Sequence, residues 1–209
     1  MNTDQNSVLS VFIGVHLWLI GFWFCGWRGT LCIVSTGLFL SRDPRIAVVV
    51  RRMPPLKGLP VRVDVMRGLR DRRGAVHAGS FLRERRIALD CARAEFPRIF
   101  VHEVAHFIWL RLGNAVRFSY EDIVRAELAA RASGELGWSA QWRKDALRAE
   151  DIAGRTRRWR EYGCESFCDT AAWLYGGIER HEEFTLGAAW RRRRRTWFAE
   201  VLGNRTLSI

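Results

Sequence analysis

The sequence predicts an α+β domain in which a small antiparallel sheet precedes a mainly helical body. Three observations carry that reading. Short β-branched runs, broken by proline and glycine, fill the region between residues 45 and 90. After Cys91 the texture turns helical, with apolar residues recurring at helical spacing between Gly-containing stops. A chain of 209 residues with 48% hydrophobic and 27% charged content is long enough for one packed core. The same composition excludes disorder, collagen-like repeats and disulfide-dense miniproteins.

Residues 1–44 form a hydrophobic N-terminal segment. Val8–Trp27 carries no formal charge and is long enough to cross a hydrocarbon layer of about 30 Å as a helix, giving a membrane contact through residues 8–40. The leading MNTDQNS lacks the positive charge of a secretory signal, and Arg42, Arg45, Arg51 and Arg52 follow the apolar run. The alternative is that Met53 is the true start. Residues 45–209 read as one domain, and both readings leave the folded part facing the cytoplasm, either free or on the cytoplasmic side of a single span. Five cysteines, at 25, 32, 91, 164 and 168, make an odd set without CxxC spacing, as expected in a reducing compartment.

In chain order, Arg45–Arg52 (RIAVVVRR) and Val61–Met66 (VRVDVM) read as strands around the turn MPPLKGLP. Arg86–Asp90 reads as a half-buried edge strand, with HAGSFLRER supplying a hairpin partner. Pro97 suits a first helical turn, and an apolar string from Ile99 to Leu112 stops at Gly113-Asn114; this helix is apolar on nearly every side and should be buried. Ser119 with Asp122 opens a helix toward Gly134, and Ser139 caps one reaching about Glu150. A long helix follows from about Arg155 to Tyr175, stopped by Gly176-Gly177, and a last one covers about Glu182–Leu202.

The buried helix contains His102-Glu103-Val104-Ala105-His106. Histidines at i and i+4 stand about 40° apart around a helix and about 6 Å apart along it, so both imidazoles can reach one metal. Zinc is the natural occupant. Glu103 can lie beside the open coordination position and take a proton from the attacking water. Burying a glutamate and two histidines in an apolar helix is costly unless they have partners, which a metal and its surroundings supply.

A zinc hydrolase needs a third protein ligand. Trp109 and Leu112 stand where the HExxHxxGxxH class has Gly and His, which excludes that class. The better candidate is in Cys164-Glu165-Ser166-Phe167-Cys168-Asp169 on the long helix, where Glu165 and Asp169, at i and i+4, share a face with Tyr162 and Trp173. On geometry alone, either carboxylate could be the ligand.

HExxH followed by a helical ExxxD resembles the gluzincin metallopeptidases. The resemblance implies a zincin-like fold, a peptide or protein substrate and Zn²⁺ held by His102, His106 and Glu165, with Asp169 accepting a hydrogen bond from a ligand histidine. It also implies an edge strand above the cleft, a role for which Arg86–Asp90 is placed. Cys164 and Cys168, which bracket Glu165, belong to no pattern of that family and read as small buried apolar groups. For the donor that stabilises a developing oxyanion, Tyr175, His181 and Tyr162 are at hand, the first two as catalytic candidates. His16 and His77 have no partner pattern.

Basic residues outnumber acidic ones 34 to 22, a net charge of +12, but only Lys57 and Lys144 are lysines. So arginine-dominated a count argues only weakly for nucleic acid. Arg191–Arg195, between Trp190 and Trp197, covers every direction around a helix and must be partly solvated. It motivates a second functional reading, a non-catalytic zinc-stabilised helical domain that binds a polyanion through its arginine-rich face.

Overall fold

The computed structural model describes residues 34–35, 37–71 and 74–209. The expected span over Val8–Trp27, with His16, Cys25 and Cys32, lies outside the described residues. Among the described residues no helix is long and apolar enough to cross a membrane.

The chain begins with strands β1 (Val34–Ser35) and β2 (Phe39–Ser41), helix α1 (Arg45–Val50), and strands β3 (Leu56–Lys57) and β4 (Val61–Val65). A small hairpin, β5 (Arg70–Asp71) and β6 (Gly74–Ala75), leads to β7 (Ala78–Phe81) and β8 (Arg86–Leu89). The helical body is α2 (Phe96–Arg111), α3 (Asn114–Ala129), α4 (Trp138–Asp145), α5 (Ala149–Ala153), α6 (Arg157–Tyr175) and α7 (Ala188–Trp197). A π-helical turn over Phe198–Leu202 and strand β9 (Leu207–Ser208), parallel to β3, complete it.

The main sheet has the order β1-β2-β4-β8-β7, so the molecule is mixed α/β with a small sheet and a mostly helical body. The expected antiparallel pairing holds only at its margins. β2, β4 and β8 run parallel, with Val63 opposite Ile87 and Val65 opposite Leu89. Parallel neighbours cannot be joined by a hairpin and need a crossover, and here α1 supplies the one between β2 and β4.

That requirement overturns the strand expected at Arg45–Arg52. Its β-branched residues favour a strand by local preference, but the Asp43 carboxylate accepts hydrogen bonds from Arg45 N and Nε, both at 2.9 Å, and holds the chain in a turn. Ile46 and Val49, three residues apart, then share the buried face of one short helix. β8 also differs from expectation: it lies inside the sheet, and its hairpin partner β7 forms the margin.

α2 packs against β7, β8 and α6. As its all-round apolarity predicts, Phe100, Val101, Val104, Ala105, Phe107 and Ile108 are buried. Phe39 of β2 meets Phe100 edge-on at 5.3 Å, while Trp109 and Phe167 bring α2 to α6 with ring centroids 5.0 Å apart. Tyr120 of α3 fills the space beside Phe167, and its hydroxyl lies 2.9 Å from both Ser166 O and Thr170 Oγ1. These contacts make the α2–α6 pair the rigid centre of the body.

Helix boundaries shift where tertiary contacts intervene. α3 starts at Asn114, five residues before Ser119, because Gly113 O accepts the N–H groups of Val116 and Arg117; the Ser119 hydroxyl instead donates to Val116 O. The helix expected from Ser139 to Glu150 breaks into α4 and α5, with Asp151 capping the second by accepting Arg148 N–H. Residues 182–187, expected to be helical, run irregularly because Thr185 and Leu186 N–H groups bond to Glu135 O and carry Phe184 and Leu186 into a small apolar cluster.

The arginine run is only partly solvated. Arg194 is fully buried, its Nε 2.9 Å from Glu127 Oε1 and its Nη1 2.9 Å from Glu135 Oε2. Glu135 also accepts from the Tyr162 hydroxyl at 2.6 Å. One guanidinium therefore joins α7, α3 and the segment before α4. Arg194→Met should destabilise the fold by about 3–5 kcal/mol, since buried Glu127 would lose its ion pair and buried Glu135 would keep only one cation, Lys144, 3.5 Å away. Urea unfolding at neutral pH measures the loss, and a change below about 1 kcal/mol would contradict the assignment.

Candidate metal centre

His102 and His106 stand on successive turns of α2, their ring centroids 5.0 Å apart and their planes inclined by 76°. Neither orientation is free. His102 Nδ1 lies 2.8 Å from Asp169 Oδ1, so the ring is held with Nε2 turned toward Glu165, whose Oε2 is 3.3 Å away. The same Oε2 is 3.9 Å from His106 Nε2. Three donor atoms, one from each of His102, His106 and Glu165, thus lie within 4.8 Å of one another, the third supplied by α6.

Each carboxylate divides its oxygens between two tasks. Glu165 directs Oε2 at the histidines while its Oε1 is 3.0 Å from Arg143 Nη2, and Arg143 is itself fixed by Nη1 donating to Ser139 O at 2.9 Å. Asp169 directs Oδ1 at His102 while its Oδ2 accepts Ala140 N–H at 3.0 Å. The Gly137 backbone passes so close to the Asp169 carboxyl that a β-carbon there would overlap it. Glu103 is almost buried, and Ser80 Oγ of β7 is 2.5 Å from its Oε2 and 2.9 Å from its carbonyl oxygen. One hydroxyl proton serves both acceptors, and the shorter contact favours the carboxylate.

The electrostatics follow from this packing. Burial alone would raise the Glu165 carboxyl, but the His102 hydrogen bond and the charges of His106, His102 and Arg143 outweigh it and bring the pKa down to about 2. For His102, burial opposes the charged ring, yet Asp169 and Glu165 overcome it and hold the imidazole protonated well above its ordinary range. His106 is raised too, against burial, chiefly by its bond to Cys164. A field that attracts a proton this strongly also attracts a metal cation.

Of the residues singled out from sequence, His102, Glu103, His106, Glu165 and Asp169 converge. A cleft of about 260 Å³ is lined by Ser80, Leu82, His102, Glu103, His106, Ser139 and Glu165. A second hollow, of about 340 Å³, shares His102, Glu103 and Ser139 and extends past Val76, Ile99, Trp138 and Trp142. Tyr175 and His181 are not among the residues lining either. The Tyr175 ring packs near Phe198 at the far end of α6, and His181 Nε2 is 3.2 Å from Glu95 in a cluster with Arg98 and Glu183. Tyr162 is committed to Glu135.

Sequence reasoning passed over Ser80, Gly137 and Arg143, and read Cys164 as apolar. The first three carry no local signal, since each matters only through a partner on another element. Cys164 corrects the apolar reading of the two cysteines: its Sγ is 3.5 Å from His106 Nδ1, the place that Asp169 occupies for His102. Cys168 hydrogen-bonds to the Cys164 thiol, which together with His106 offsets burial and lowers the Cys164 pKa to about 6.

No family model matches the chain, and neither the curated proteins nor the solved structures contain a significant match to it.

Because Glu165 stays ionised to about pH 2, the histidines govern the pH dependence of metal binding. Their raised pKa values mean that protons compete with the metal at a higher pH than for free histidine. Zinc affinity, followed by a competing chromophoric chelator, should therefore fall as pH decreases, by about tenfold per unit for each proton displaced. A flat profile between pH 8 and 5 would contradict the assignment.

Proposed function

We propose that the chain is a zinc-dependent metallopeptidase with a zincin-like arrangement of its site and a gluzincin ligand set, His102, His106 and Glu165. The observation that carries this reading is that one carboxylate oxygen, Glu165 Oε2, faces both Nε2 atoms, at 3.3 and 3.9 Å. Tetrahedral ligands about 2.0–2.1 Å from zinc stand about 3.3–3.4 Å apart, so the donor set fits the ion with only small side-chain adjustment. The donor chemistry agrees: two imidazoles and a carboxylate suit a catalytic zinc that keeps one position open. A second carboxylate, Glu103, lies beside this set without belonging to it, which a purely structural zinc site would not require.

When bound, zinc would supply Lewis acidity to the attacking water and to the scissile carbonyl. The chain's own residues perform the remaining work. Glu103 accepts the water proton as the C–O bond forms, then delivers it to the amine nitrogen as the C–N bond breaks. Ser80 engages one oxygen of Glu103 and so aims the carboxylate from the margin of the sheet. Asp169 keeps His102 in the tautomer that presents Nε2, and Arg143 keeps Glu165 Oε2 toward the histidines. Arg143 balances the charge of Glu165 from outside the two hollows, which neither it nor Tyr175 nor His181 lines. The substrate is a peptide or protein segment lying across the two adjoining hollows.

Three substitutions test the proposal. Glu103→Gln should keep zinc and lose hydrolysis of a casein or mixed-peptide substrate by at least about 100-fold. A zinc-stabilised polyanion-binding domain would leave its function unchanged in that variant. Glu165→Ala should lose most zinc on dialysis, measured by elemental analysis, whereas Asp169→Ala should weaken it only about 10 to 100-fold. Full zinc content in Glu165→Ala, or undiminished hydrolysis in Glu103→Gln, would overturn the reading.

A further inference from the structure

Cys164, Cys168 and the Nδ1 atom of His106 form a second group of donors, and the peptidase reading uses none of these atoms. One ligand atom from each lies within 4.8 Å of the other two. The thiols sit one turn apart on α6 with their sulfurs within 4.8 Å of each other, and Cys164 Sγ is 3.5 Å from His106 Nδ1. His106 thus faces different donors from its two ring nitrogens: Glu165 Oε2 lies 3.9 Å from Nε2, and Cys164 Sγ lies 3.5 Å from Nδ1 with Cys168 Sγ within 4.8 Å of it. Nitrogen and oxygen donors suit borderline ions, whereas paired thiols favour soft ones.

We propose that Cys164, Cys168 and His106 Nδ1 constitute a separate site for a thiophilic metal ion, such as Cd²⁺ or Cu⁺, on the side of His106 away from Glu165. Cys168 is fully buried and Cys164 partly so, which places the site just under the surface, with Cys164 as the point of entry. The ion needs Cys164 and Cys168 as thiolates and His106 Nδ1 without a proton, and the protons it displaces go to solvent. When both sites are filled, neither ring nitrogen of His106 carries a proton, and the imidazolate bridges the two ions. The sulfur site therefore acts directly on the ring that the His102–His106–Glu165 set also needs.

Cadmium is the probe, because thiolate ligation gives it an ultraviolet charge-transfer band that nitrogen and oxygen ligands do not. The full chain, reduced and stripped of metal, should bind two Cd²⁺ and show that band. Cys164→Ser/Cys168→Ser should bind one and lose the band, although Cys25, Cys32 and Cys91 remain. Cadmium-edge X-ray absorption of the unaltered chain gives the same answer without a variant, through sulfur neighbours on about half of the bound ions. His102→Ala should lose the ion of the nitrogen–oxygen site and keep the band. Failure of the peptidase reading would leave the band intact, so the two proposals fall separately. One cadmium per chain would overturn the second site, whether sulfur-ligated, showing a single shared ion, or without sulfur, showing unligated thiols. Survival of the band in the double variant would overturn it equally.

Discussion

A carboxylate buried inside a protein has to be met by hydrogen-bond donors, and Asp169, only 3% exposed, is met by two. His102 comes from α2 and the Ala140 N–H from α4, so a residue of α6 ties three helices together at one point. The remaining geometry is set from there by helical spacing. One turn before Asp169, Glu165 is brought opposite both imidazoles; one turn beyond Ser139 on α4, Arg143 reaches the other oxygen of Glu165. Gly137 lets the start of α4 approach closely enough for the arrangement to close. Displacing Asp169 would disturb the positions of four side chains.

The scaffold carrying this site is stiff for a different reason. Aromatic rings from α2, α3, α6 and the π-helical turn interlock around Phe167, where volume changes cannot be absorbed without moving a helix. Behind them the ion cluster of Arg194, Glu127 and Glu135 is fully buried. Such clusters add little net stability compared with a well-packed apolar core, yet they are costly to break by removing one partner. The cluster holds α7 in a single register against α3 and α6, and so holds the end of α6 opposite the histidines.

Against this rigid body the sheet contributes one contact to Glu103. β7 sits at its margin, where Ser80 can reach Glu103 from outside the helix bundle. The two hollows meet at Glu103 and His102, between β7 on one side and α4 on the other. Exposed Trp138 and Trp142 border the larger hollow with broad apolar surface. The residues proposed as general base, ligands and substrate walls come from different elements, and only their packing brings them together.

The candidate residues that the structure brings together were legible in the sequence because helices convert spacing into direction. His102 and His106, like Glu165 and Asp169, occur at i and i+4, so each pair had to share a face wherever its helix lay. Pro97 and the Gly176-Gly177 stop marked the two helices that matter. What spacing could not say was which carboxylate faces the histidines and which supports them, since both project from the same side of α6; the approach of α4, with Ala140 and Arg143, decides it. Nor could spacing reveal Ser80 or the polar role of Cys164, whose partners lie 23 and 58 residues away. The strand expected at Arg45–Arg52 failed for the same reason. β-branched residues state a local preference, but parallel pairing of β2 with β4 demands a crossover, and that demand exists only once the strands are side by side.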